Sequence, residues 1–396
     1  MTPTPQKQRL LSLDVMRGIT IGAMILVNNP GSWSSIYAPL RHADWIGMTP
    51  TDLIYPFFMF IMGVSMFFSL GRFDDGLRGG IFLRILKRSA AIFALGLALQ
   101  WCSYIGQGLS ASLTGRIAEG ESVWSMIFPL GRFRIMGVFQ GLALAYLFGA
   151  TLCVALRWHW RRILWIAGAI LLFYIVLLHV GHGYELGEHN ILAVVDRAVL
   201  GEPHLYRQAL LDGTRIGFEP EGLLSSLPRT VHVALGAFVG WLIVGRKEKT
   251  ESMSAIFIFG TIVLLAGLLL QYGDPLNKKI WSASFTLTSC GLASMALALL
   301  LWIIDIRGSR SWSRPFEVFG VNPLFLYCVG WLLSVVLNFG FLWNEGTASL
   351  KGLLCGEVLT PLLGDYGGSL ACALAIVATV WMTGYVLYRK KIYIKL

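Results

Sequence analysis

The chain has 396 residues, a formal net charge of +10, and a composition that is 56% hydrophobic and 14% charged. Soluble domains carry about 25% charged residues, and the mean hydropathy here is +0.66. A soluble globular protein is therefore excluded, as are disorder, coiled coil, collagen and a small disulfide scaffold. In so apolar a chain the basic excess is a question of which membrane face carries it, and nucleic acid is not expected as a partner.

A bilayer span takes about 20 mostly apolar residues. In chain order, ten such runs are predicted: 14–34, 51–70, 83–104, 133–153, 161–180, 222–245, 254–271, 282–304, 316–339 and 367–388. The polar start TPTPQKQRLLSLD leads into the first run with no small-residue cleavage site after it, so it is not read as a cleaved signal peptide. No ten-residue alternation suggests an outer-membrane barrel. The segments on the side of the termini hold 21 of the 32 Lys and Arg but 7 of the 22 Asp and Glu. That face sums to +14 and the other to −4, so the positive-inside rule puts both termini in the cytoplasm. The expectation is an all-α polytopic membrane protein with about ten transmembrane helices, one integral-membrane domain over 1–396. Its outer loops fall at about 105–132, 181–221 and 340–366, and long loops tend to carry function. No internal repeat is evident.

Ionisable groups inside membrane segments are costly and so are functional candidates. Asp14 and Arg17 share a helical face; a snorkelling pair at the inner interface explains them equally well. Asn28 follows near the outer end of the same run, where a packing amide is the ordinary reading. His42 stands in a short outer loop, and Asp52 enters the second run ten residues later. A histidine there can serve as a general base, though Asp52 serves equally as a helix cap beside Thr49 and Pro50. Arg84, Lys87 and Arg88 open the third run and, with Arg9 and Arg17, suit a phosphate site or simply the positive-inside signal.

Further along, His179, His182 and His189 lack any carboxylate partner at metal-ligand spacing, so no metal is expected. Asp196, Arg197, His204 and Tyr206, then Glu219 and Glu221, make a polar set suited to a sugar. LNKKIWSAS adds Asn277, Lys278 and Trp281, and Asn322 precedes the helix-breaking Pro323 in the ninth run. Six cysteines contain no CxxC, which leaves one outer disulfide open and gives a redox framework no support. Phosphate-binding, dinucleotide and nucleophile-elbow motifs are absent.

The blocks RLLSLDVMRGITIGAMILVNN, HADWIGMTPTDLIYPFFMFIMG, RIMGVFQGLALAY, DRAVLGEPHLY, FEPEGLLSS, LNKKIWSASF and YVLYRKKIYIKL occur in one order over nearly the whole chain. Together they resemble the heparan-α-glucosaminide N-acetyltransferase family, in a short form expected of a bacterial inner-membrane member. The resemblance implies transfer of acetyl from cytosolic acetyl-CoA to a terminal glucosamine amine across the membrane. It implies that His42 is the active-site histidine with Asn28 beside it, and that Arg9, Arg17 and Arg88 lie where CoA docks; a homodimer is in keeping with the family. Where the lysosomal member has VGHEV, this chain has VGWLL with Trp331, which bears on the acceptor.

The expected chemistry follows. Arg9, Arg17, Arg84 and Arg88 hold the CoA phosphates. His42 takes the amine proton, oriented by Asp52, and Asn28 supports the oxyanion; a covalent acetyl-histidine is the alternative chemistry, and the sequence does not choose between them. Asp196, Arg197, His204, Glu221, Asn277, Trp281 and Asn322 contact the amino sugar. An amino-sugar transporter and an O-acetyltransferase of a surface glycan are the rival readings.

Overall fold

The structure is a computed structural model that describes residues 10–73, 76–117, 120–210, 213–343 and 346–394. It is mostly helical, 71%, with two short hairpins and no closed sheet among the described residues. In chain order the helices are α1 (Leu11–Val27), α2 (Ile54–Leu70), α3 (Gly79–Thr114), α4 (Val123–Ile127), α5 (Val138–Ala155), α6 (Trp160–Val180) and α7 (Ile191–Leu200). They continue as α8 (Ser226–Val244), α9 (Lys249–Leu270), α10 (Ala283–Leu300), α11 (Arg314–Val321), α12 (Pro323–Leu337), α13 (Leu350–Gly352) and α14 (Thr360–Arg389). Strands β1 (Arg207–Ala209) and β2 (Arg215–Gly217) pair between α7 and α8, and β3 (Gly340–Trp343) pairs with β4 (Gly346–Ser349) after α12.

Each of the ten predicted runs overlaps a long helix or, for the ninth, the α11–α12 pair. Among the described residues, seven helices qualify by length and apolarity to cross a membrane, and eight if α11 and α12, bent by 77°, count as one span. The bend sits at Asn322–Pro323, where proline has no amide hydrogen to continue the ladder. Helix α1 is 17 residues long and α3 is the more polar of the long helices, so neither qualifies on these criteria alone.

Helix α8 is central, with Pro228, Arg229, Val233, Gly236 and Val239 all buried, whereas α9 turns Phe257, Ile258, Ile262, Leu265 and Leu269 outward. In lipid, burial of apolar surface does not drive helices together, so close backbone approach must. The α2–α8 contact uses this: a Cβ on Gly63 would lie 2.2 Å from the Val233 carbonyl, and one on Gly236 would lie 2.3 Å from the Phe60 carbonyl. The α9–α10 pair approaches in the same way at Gly260 and Gly291.

The connections between helices sort into two sets by contact. At one end, Asp305 accepts the Ser12 amide at 3.1 Å and sits 3.8 Å from Lys249. Trp158 donates to the Phe73 carbonyl, and Asn322 holds Ile392 and Ile394. At the other end, His42 meets Lys278 and Trp45 donates to the Tyr184 carbonyl. His204 meets the Phe133 carbonyl, and the Gly340 amide donates to Ser110. A disulfide between Cys355 and Cys372 also lies in this half, against the loop after α1.

Gly63→Val should force the α2–α8 backbones apart at a cost of about 1–3 kcal/mol. A thermal-shift assay by size exclusion in detergent should show a lowered midpoint for this variant, and no comparable change for Gly168→Val, where a Cβ meets nothing within 4 Å.

Candidate functional site

The segment after α1 leaves the bundle at Asn28 and returns through a 3-10 turn at Pro50–Leu53. Thr49 and Asp52 form a reciprocal capping box there, and Pro50 fixes the first position of the turn. The box places the Asp52 carboxylate, 1% exposed, at the centre of a ring of donors. Its Oδ2 accepts the Ala43 amide at 3.1 Å, the Thr49 amide at 3.0 Å and the Thr49 hydroxyl at 3.0 Å. Its Oδ1 lies 2.6 Å from His42 Nδ1 and 3.5 Å from Lys278 Nζ.

Lys278 Nζ also lies 3.1 Å from His42 Nδ1. An ammonium has only donors and a carboxylate only acceptors. The tautomer that suits the network puts the proton on Nδ1, directed at Asp52, with Lys278 paired to the same carboxylate. Nε2 is then the basic atom of a ring whose side chain is 47% exposed. Burial pushes the Lys278 ammonium down from its ordinary pKa, while Asp52 and Glu221 hold it up.

Lys278 belongs to the 274–282 connection, which is folded by its own side chains. Asn277 Oδ1 accepts the Lys279 amide at 2.8 Å, and Ser282 Oγ accepts the Asn277 amide at 3.1 Å. Gly47 and Asn277 bridge the His42 loop to this connection, with the Gly47 amide 2.7 Å from the Leu276 carbonyl. Asp274 takes the Tyr184 hydroxyl at 2.5 Å and the Ser284 amide at 2.6 Å. Tyr174, Phe218 and Ile280 pack beneath as an apolar floor, with Trp45 against it.

A second ionic layer lies behind. Arg134 grips Glu219 with two bonds of 2.9 and 2.6 Å and reaches Glu221 at 3.2 Å, its guanidinium over the Tyr206 ring. Arg229, fully buried, donates to the carbonyls of Pro220 and Glu221 and to the Ser225 hydroxyl. Its guanidinium sits 5.2 Å from the ring of Trp281, which is itself 1% exposed. Asp196 accepts the Leu223 amide at 2.8 Å. Burial raises its pKa to about 6, against the opposing pull of that amide and of Arg229. Glu221 lies in electrostatic reach of Lys278, which joins the two layers.

The structure thus gathers His42, Asp52, Glu221, Asn277, Trp281 and Asp196 into one end of the molecule. Trp281, Asn277 and Asp196 are buried supports. His204 is committed to the Phe133 carbonyl at 2.7 Å, and Arg197 donates to the Glu188 carbonyl at the surface. Asn322 is not here: both ends of its amide hold the C-terminal segment at the opposite end. Asn28 lies at the wall of a cavity of about 330 Å³ between α1, α3 and α12, and His42 is not among the residues that line it. Tyr327 lines the same cavity.

Of the basic residues expected to hold CoA, Arg17 is braced by Asp14 at 2.9 Å, Ser65 at 2.8 Å and the Gly320 carbonyl at 3.4 Å. Arg84 and Arg88 lie over the rings of Phe73 and Tyr146 at 5.7 and 4.9 Å. Arg9 lies outside the described residues. No group of metal-binding residues is found among the described residues. The sequence reading did not single out Arg229 or His232, although both are ionisable groups inside an apolar run and the criterion that flagged Asp14 applies to them. Lys278 was visible only as one residue of a polar stretch.

No family model matches the chain. It is 27% identical to the heparan-alpha-glucosaminide N-acetyltransferase of Homo sapiens and 26% identical to that of Mus musculus, each over 98% of this chain. The chain spans 60% of the length of these curated relatives.

The raised pKa of Asp196 has a pH signature. Its folded value of about 6 lies above the ordinary 3.8, so the stability it contributes is full below that lower value and is lost as pH rises through about 6. Thermal midpoints of wild type should fall across this window relative to Asp196→Asn, by at most about 1.4 kcal/mol per pH unit. Arg134→Gln should be the more damaging change, at about 3–5 kcal/mol, because it strands the fully buried Glu219; the same thermal assay reads it.

Proposed function

We propose that this protein is an inner-membrane N-acetyltransferase that passes acetyl from cytosolic acetyl-CoA to the amine of a glucosamine-type sugar on the far side. The observation that carries the proposal is the oriented His42–Asp52 pair at one end of the bundle, with Arg17, Arg84 and Arg88 on helices that reach the other. The names of the two relatives agree with it.

Ten crossings are part of the reading. With α1 and α3 counted as spans beside the eight that qualify by length and apolarity, the total is ten. Arg9, Arg17, Arg84 and Arg88 then belong to the +14 face, which the positive-inside rule assigns to the cytoplasm. CoA phosphates cannot enter lipid, and that face suits them.

In the reaction, the amine nitrogen attacks the thioester carbonyl carbon. His42 Nε2 takes the proton released by the nitrogen, and the imidazolium is stabilised through Nδ1–H by Asp52. Asn28 donates to the oxyanion. The carbon–sulfur bond then breaks, and the CoA thiolate leaves with the proton from His42, giving the amide and free CoA. Lys278 neutralises Asp52 in the resting state and holds the carboxylate in register with the ring. Transfer is direct, with His42 as base.

In vesicles with acetyl-CoA inside and glucosamine outside, His42→Ala should lower kcat by about 10²–10⁴-fold, and Asn28→Ala by about 10²–10³-fold. Wild-type turnover by His42→Ala would refute the assignment, and radiolabel trapped on the protein without acceptor would replace direct transfer by an acetyl-histidine route. Arg88→Glu should raise KM for acetyl-CoA while leaving KM for the sugar unchanged; the reverse pattern would invert the proposed sidedness. Sugar flux with no acetyl-CoA consumed would establish the transporter instead.

A further inference from the structure

Residues 277–282 form a turn closed by two main-chain bonds. The Ser282 amide donates to the Asn277 carbonyl and the Trp281 amide to the Lys278 carbonyl, each at 3.0 Å. This six-to-one and five-to-two pairing ordinarily ends a helix, and its fifth residue is left-handed and most often glycine. Here the fifth residue is Trp281, with φ at +55°. A Cβ makes that conformation costly, and glycine would close the same turn without the cost. What the tryptophan adds is therefore its side chain.

That side chain is 1% exposed. Three rings meet it close to edge-on: Tyr55 of α2 at 5.3 Å between centroids, Phe285 of α10 at 5.3 Å and His232 of α8 at 5.9 Å. The Arg229 guanidinium lies 5.2 Å from its centroid, a cation–π contact of the kind that strengthens when desolvated. Arg229 is itself held by the carbonyls of Pro220 and Glu221 and by the Ser225 hydroxyl. The indole N–H bonds no protein group, so the ring is gripped by its faces and edges alone.

Lys278 stands three residues before this anchor, and its carbonyl receives the Trp281 amide. On the other side of the turn, Asn277 Oδ1 accepts the amides of Lys279 and Ile280 at 2.8 and 3.3 Å. The main chain that carries Lys278 is thus fixed at both ends. A lysine has a flexible four-carbon stem and a strongly hydrated head, and from a loose turn it would reach for water. From this one it reaches Asp52 at 3.5 Å and His42 Nδ1 at 3.1 Å. We propose that Trp281 is a positioning residue: it anchors the turn that holds the Lys278 ammonium against Asp52 and, through that carboxylate, keeps the His42 ring aimed. Its burial removes it from contact with a sugar. The effect on turnover rests on the acetyltransferase reading, whereas the hold on Lys278 is measured without turnover.

The probe is formaldehyde with a borane reductant, which methylates accessible lysines on the purified full chain in detergent, read residue by residue by mass spectrometry. Lys278, with 19% of its side chain exposed and an ion pair to Asp52, should react slowly in wild type. Trp281→Gly, which relieves the backbone and removes the ring, should speed its methylation at least tenfold. Trp281→Phe should stay within a few-fold, and exposed Lys249 should react alike in all three proteins. If Trp281→Gly does not fold, Trp281→Leu takes its place with the same expectation. In transfer assays Trp281→Gly should lower kcat at least tenfold and leave both KM values within about twofold, since small misplacements of a catalytic group cost rate. Adding Trp281→Gly to Lys278→Met should lower kcat no further, because the two act along one route. Unchanged Lys278 methylation in Trp281→Gly, or losses that multiply in the double variant, overturns the proposal. Methylation that rises as expected in a protein that transfers no acetyl upholds the anchor and removes the acetyltransferase reading; transfer by a Trp281→Gly protein with Lys278 still protected does the opposite.

Discussion

The Asp52 carboxylate is the constraint on which the far end of this protein depends. One buried group receives two main-chain amides, a hydroxyl, an imidazole and an ammonium. These donors come from the loop after α1, from the turn that starts α2 and from the connection between α9 and α10. A charge so deep is tolerable only when it is paired and fully hydrogen-bonded. Satisfying it therefore ties two separate connections, α1–α2 and α9–α10, into one surface and, in the same act, sets the tautomer of His42.

The bundle beneath makes that surface rigid. Glycines bring α2 against α8 and α9 against α10 at backbone contact. The end of α9 and the start of α10 thereby hold the Lys278 connection, and α2 carries Asp52. The ionic layer of Arg134, Glu219, Glu221 and Arg229 fills the space behind, so the polar groups support one another where neither water nor lipid could.

Much of this was legible in the chain. The apolar runs gave the helices because a span must satisfy its own backbone in lipid. His42 and Asp52 were legible as polar residues at the mouth of a run, and their pairing was one of two readings of a ten-residue separation. The capping box turned out to serve both: Asp52 caps the turn with one oxygen and holds His42 with the other. Asn322 read as a polar group in the ninth run and proved to fasten the C-terminal segment beside the bend at Pro323, its side-chain amide donating to the Ile392 carbonyl and accepting the Ile394 amide.

The sequence by itself determined a helical membrane protein, its apolar runs and the nature of the polar residues at their ends. Those are properties of composition and period, which act over one helix at a time. Only the tertiary structure decided which mouths meet. Lys278 is 236 positions from His42, and Trp331 is 228 from Ser103. No local pattern encodes such distances, because they arise from how closely backbones pack at glycines and from where a buried carboxylate can find enough donors.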